Sequence, residues 1–168
     1  MFWLLKNTDC ILINEYELSD IVRITGAKRR TVQFWAESGA LKANPITERA
    51  GSGVHRTFSQ DEVLIACILN GFARKGIAIG WIIQSAEIVR RVIEAPFNRN
   101  VISHALHGSG MNLLITDGVG HGSFWSSNLN LPTLGDVMNG FVNSQDTEPS
   151  YILIDLNKCF RSADFHLT

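Results

Sequence analysis

Between Gly26 and Leu41 the sequence runs Gly-Ala-Lys-Arg-Arg-Thr-Val-Gln-Phe-Trp-Ala-Glu-Ser-Gly-Ala-Leu, and no other stretch restricts the fold as tightly. Gly26 ends a helical pattern that begins at Glu17, and the next helix opens on Lys28, Arg29 and Arg30. Val32 with Trp35 or Ala36 keeps one apolar face of that helix toward a core. Three positive charges at a helix start oppose the positive end of the macrodipole. A polyanion lying there relieves the conflict, and duplex DNA is the polyanion that a helix, a glycine turn and a basic helix are suited to meet.

At 168 residues, 45% hydrophobic and 18% charged, the chain has the composition of a folded globular protein and not of a disordered tail. The net charge of −1 hides an asymmetry. Residues 1–94 carry twelve Lys/Arg against ten Asp/Glu, and residues 95–168 carry three against six. The acidic half is expected to face away from DNA. Cys10, Cys67 and Cys159 are far apart and odd in number, which fits neither a zinc site nor a disulfide framework. A reducing, cytoplasmic setting is the expectation. The opening apolar run is cut by Lys6 and Asp9 and is too short for a signal peptide or a membrane span. No membrane partner is expected.

Periodicity predicts helices from Glu17 to Thr25 and over residues 29–38. The polar stretch from Lys42 to Thr57, with Pro45, Gly51 and Gly53, has the length of a β-hairpin wing. Ser59, three residues before Glu62, marks a capping-box start for a helix that runs to Arg74 and stops at Gly76. Apolar residues then recur at spacings of three and four from Ile79 to Glu94, opposite Gln84, Glu87, Arg90 and Arg91. This predicts an amphipathic helix of about 24 Å, ended by Pro96. Ile82, Ile83, Ala86, Val89 and Ile93 on its apolar face are the expected homodimer seam; packing on the chain's own C-terminal part is the alternative. Beyond Pro96, residues 112–116, 122–126 and 150–156 are strand candidates, the first two joined by a glycine-rich turn, and residues 134–142 are a helix candidate. The expected fold is mainly α with a β-hairpin wing, a winged helix-turn-helix, over residues 14–94. A small α+β domain, sensing an effector or supporting a dimer, is expected over residues 97–168.

Several motifs stand in register. Gly26, Arg29, Arg30, Thr31, Val32, Phe34, Trp35, Gly39 and Leu41 form the first. Residues 53–63, Gly-Val-His-Arg-Thr-Phe-Ser-Gln-Asp-Glu-Val, form the second, and Lys75-Gly76-Ile77 the third. In these the chain resembles the MerR family of winged helix-turn-helix transcriptional regulators over about residues 14–94. The sequence departs from the family pattern in having Gln33 where Arg is usual, and Phe34-Trp35-Ala36 where Tyr-Tyr-Glu is usual. The resemblance implies a homodimer on a pseudopalindromic DNA site, with RNA polymerase as a further partner at a promoter. Lys28, Arg29, Arg30, Thr31, Gln33 and Phe34 on the helix, with Arg49, His55 and Arg56 on the wing, are the candidate DNA-binding residues. Arg reads guanine edges or neutralises phosphate, Gln33 suits adenine or a backbone oxygen, and the wing donors follow the neighbouring strand.

The C-terminal half offers weaker signals. His104, His107 and His121 with Asp117 have the residue types of a metal site, but glycines surround two of them and Asp117-Gly118 is a common turn pair. The glycine-rich turn lacks the Lys-Ser/Thr that a phosphate-binding loop needs. Ser103, Ser109 and Ser123 have no evident base. No metal, cofactor or catalytic residue is expected. Two other functions compete: a DNA-binding protein that directs recombination in a mobile element, and, more remotely, a metal-dependent module in residues 95–168.

Overall fold

The computed structural model describes residues 15–48, 55–117, 120–129, 132–143 and 151–161. Its elements run β1 (Tyr16–Glu17), α1 (Leu18–Thr25), α2 (Arg29–Glu37), α3 (Pro45–Glu48), β2 (Thr57–Phe58), α4 (Gln60–Arg74) and α5 (Ile79–Glu94). A 3₁₀ turn (Pro96–Asn98) leads to α6 (Arg99–Leu106), β3 (Asn112–Thr116), β4 (Gly122–Ser126), α7 (Leu134–Asn143), β5 (Ile152–Asp155) and α8 (Leu156–Phe160). Among the described residues the architecture is mixed α/β, mostly helical, with two small antiparallel sheets. No helix among the described residues is long and apolar enough to cross a membrane.

Helix α4 is the centre. Ser59 caps it by accepting from the Glu62 amide at 3.3 Å, and every residue from Glu62 to Leu69 is buried, as is Phe72. A helix apolar on all sides must be surrounded. Helices α1 and α5 pack on it, and so do α8 and β5 from the C-terminal half. Gly76, at φ +75°, turns the chain between α4 and α5, and Phe72 meets Trp81 edge to face across that turn with centroids 5.0 Å apart. The second sheet has order β4-β3-β5, with Asn112 opposite Ser126 and Leu113 opposite Asp155. All five residues of its central strand β3 are buried. Gly122 lets this sheet lie close on α5, since a Cβ there would sit 2.7 Å from Ile88 Cγ2. One buried cluster therefore runs from Ile21 to Phe160, across the expected junction at residues 95–96.

Three expectations are corrected. The stretch from Lys42 to Thr57 is not a simple hairpin in its described part. Pro45, pre-set for a first helical turn, opens α3, and the Asn44 carbonyl accepts from the Thr47 amide at 2.9 Å and hydroxyl at 3.1 Å. The loop is still closed at its base, because the Asn44 amide donates to Thr57 O at 2.7 Å and its side chain to Thr57 Oγ1 at 2.9 Å. Thr57 and Phe58 pair instead with Glu17 and Tyr16. Arg49, Gly51 and Gly53 lie outside the described residues.

The second correction concerns the seam. Ile82, Ala86, Val89 and Ile93 are each at most 1% exposed within a single chain, and Ile83 packs half-buried at the rim. Their apolar partners are the chain's own α4 and β4, so this face of α5 is already covered. The third concerns Arg90, expected on the polar face. Its side chain is 7% exposed, and Nε donates to Glu62 Oε1 at 2.7 Å. Nη2 donates to Ala40 O at 3.0 Å, and Nη1 to Glu87 Oε2 at 2.7 Å. Glu62 also accepts the Lys42 amide at 2.9 Å, so both buried ions are well supplied with partners.

Removing one member of such a pair strands the other charge. Arg90→Ala is expected to cost about 3–5 kcal/mol of unfolding free energy. Arg23→Ala, which breaks an exposed pair to Asp20, is expected to cost under about 1 kcal/mol. Urea denaturation of both variants checks the contrast.

Candidate nucleic-acid interface

The basic helix is held from behind. Gly26 takes up φ +66°, where a glycine is favoured, and its amide donates to Val22 O at 3.0 Å. Thr25 Oγ1 donates to Ile21 O at 2.7 Å and accepts from the Ala27 amide at 3.1 Å, bracing the turn from inside. Asn70, on α4, donates to Thr25 O at 2.8 Å and ties the end of α1 to the core. Val32 and Trp35, both 0% exposed, anchor α2 itself. At its far end, Gly39 at φ +78° reverses the chain, the Leu41 amide donates to Trp35 O, and Arg90 grips Ala40 O.

The opposite face of α2 is open. Lys28 is the N-cap residue with extended backbone, no side chain caps this end, and its first turn contains no acidic residue. Lys28, Arg29 and Arg30 are exposed, and among the described residues none of the three is within ion-pair reach of a carboxylate. Thr31 is half-buried. Gln33 is exposed and donates to Glu37 Oε1 at 2.8 Å, and Phe34 is 43% exposed beside it.

A groove of about 530 Å³ brings together Arg29, Gln33, His55 and Arg56, with Glu17 and Glu37 on its walls. Four of the expected contact residues thus share one concavity, and two carboxylates temper its charge. Lys28, Arg30, Thr31 and Phe34 are not among the described residues lining it, and Arg49 is outside the described residues.

Sequence reasoning missed the support for this surface. Glu62 has the expected place three residues after Ser59, but its side chain turns inward to Arg90 and the Lys42 amide. Arg90 lies four residues after Ala86 and eight after Ile82, a spacing that puts it on the buried stripe. That signal was available; the charge masked it.

The remaining candidates form local contacts. His107 Nδ1 lies 2.7 Å from Ser103 O, and His121 Nδ1 lies 2.8 Å from Asp117 Oδ2. Among the described residues no three His, Cys, Asp or Glu side chains come together as a metal site would require. Burial pushes the Cys67 thiol up to about 12, with Cys159 nearby adding to it; burial, with Asp155, does the same for Cys159. Values this far above neutrality keep both thiols protonated at neutral pH.

No family model matches the chain, and no curated protein matches it significantly.

Lys42, which follows α2, donates from Nζ to Glu87 Oε2 at 3.0 Å. That bond, opposed by partial burial and helped by Arg90, holds the Glu87 carboxyl below its ordinary value of 4.5. A carboxyl depressed in the folded state stabilises above its unfolded value, and the contribution fades as pH falls through the folded one. Glu87 is 57% exposed, so the effect is small. Lys42→Met is expected to flatten the acid limb of a stability–pH curve below about pH 4.5 and to leave its slope unchanged near neutrality. Urea midpoints measured across that range check it.

Proposed function

We propose that this chain is a sequence-reading, duplex-DNA-binding transcriptional regulator of the winged helix-turn-helix kind, with α2 as the helix that enters the major groove. The observation that carries this reading is the first turn of α2. Three exposed cations stand at the positive end of a helix, without a carboxylate partner among the described residues, on a helix fixed by buried Val32 and Trp35. Charge left uncompensated on a rigid element is an unfavourable arrangement for the free protein, and a phosphate backbone removes it. Arg29 shares a groove with His55 and Arg56, as expected if the segment before β2 follows the DNA strand beside the helix. The resemblance in residues 14–94 supports the same reading. A homodimer on a pseudopalindrome belongs to it, assembled through a surface other than the buried face of α5.

Selection from random-sequence duplexes, followed by mobility shifts on the enriched motif, tests it. The expected outcome is one common motif, two-fold symmetric if two copies bind. If six cationic or donor groups meet phosphates, affinity falls with salt at a log–log slope of about −5. Arg29→Ala/Arg30→Ala is expected to weaken binding about tenfold or more while shifting stability by under about 0.5 kcal/mol, since both side chains are exposed. Failure to enrich any motif, or wild-type affinity in the double variant, would overturn the reading.

A further inference from the structure

We propose that the hollow between α5, the Pro96–Asn98 turn, residues 120–123 and α7 binds a small organic anion with an apolar body, such as an aryl or medium-chain carboxylic acid. Its volume is about 500 Å³, in the size class of small-molecule sites. Ile88 and Val92 on α5, with Phe97 and Val137, give it apolar walls. Phe97 is 72% exposed, so a ring at the wall of this hollow gains burial only when something enters.

Arg91 is the one formally charged side chain among the described residues that line the hollow, setting His121 aside. Arg91 is exposed, and its Nη2 donates to Gly120 O at 3.3 Å, on the lining of the hollow. His121 stands beside it on the same lining. Asp117 orients the imidazole, with Oδ2 2.8 Å from Nδ1 and Oδ1 accepting from the Gly120 amide at 3.0 Å and the His121 amide at 2.9 Å. With Nδ1 engaged by Asp117, Nε2 is the ring nitrogen left for a ligand. Asp117 itself is 5% exposed, and none of the described residues lining the hollow is acidic. A guanidinium on the lining of an apolar hollow favours a carboxylate with a hydrocarbon body over an amine or a neutral alcohol.

Two glycines shape the space. Gly122 seats β4 on α5 and closes one side. Gly140, on α7, lines the other side, and a Cβ built there meets nothing within 4 Å. The site stands on these observations whether or not the chain binds DNA.

Calorimetric titration of the full chain with phenylacetate, indole-3-acetate and decanoate tests the assignment, with phenethylamine and phenylethanol as charge controls. The expected result is saturable one-to-one binding of at least one acid, about tenfold or more tighter than the amine and the alcohol. Arg91→Met is expected to cost about tenfold in that affinity with an unchanged urea midpoint, because the side chain is exposed. Gly140→Phe, at a position whose φ suits any residue, fills the hollow and is expected to abolish binding. Binding of none of the three acids overturns the proposal. So does equal affinity for the alcohol, or wild-type affinity in Arg91→Met.

Discussion

A single buried guanidinium sets the geometry on which the exposed surface depends. Arg90 reaches from α5 to the Glu62 carboxylate on α4, and its remaining donors meet Ala40 O behind α2 and Glu87 on its own helix. The cost of burying two ions is offset only when each is fully supplied with partners. Here Glu62 receives two bonds from Arg90 and the Lys42 amide, while Arg90 gives bonds to three acceptor residues. An apolar pair of the same volume would hold α4 to α5 without fixing where α2 ends. The directional bonds to Ala40 and Lys42 do fix it.

This arrangement explains why the front of α2 tolerates unpaired charge. Its back is set by Val32, Trp35, Gly39 and the Asn70–Thr25 bond, all independent of Lys28, Arg29 and Arg30. The residues that build the helix and the residues that face solvent are separate sets. On the proposed reading, recognition can therefore vary on one side while the fold is kept on the other.

The local signals in the sequence were legible where one residue type has one physical use. Ser59, Gly26, Gly76 and Pro96 punctuate the chain where capping, left-handed backbone and ring constraints require, and the 112–126 hairpin follows from apolar runs around a glycine-rich turn. Long-range assignments were less legible. An apolar stripe on α5 states that something covers it, not which surface does; β4 and α4 cover it here. The run Tyr151 to Leu156 reads as one strand, yet Asp155 accepts from the Lys158 amide at 3.1 Å and starts α8 inside it. Helix α6 is not among the elements that the periodicity predicts. Its anchor, Arg99 bidentate to Asp61 at 2.7 Å, joins residues far apart in sequence. In the candidate interface the basic residues of α2 are legible in the sequence as a cluster, whereas the ion pair behind them depends on three segments meeting.

The placement of α8 has a consequence for how the molecule is made. Phe160 and Leu156 complete the lining of α4, and Gly71 faces Cys159 so closely that a methyl group there would sit 2.8 Å from its sulfur. On the ribosome, α4 and α5 emerge long before that closing piece is translated, a delay of several seconds at about 5–20 residues per second. During this interval the part of α4 that α8 covers is without its native partner.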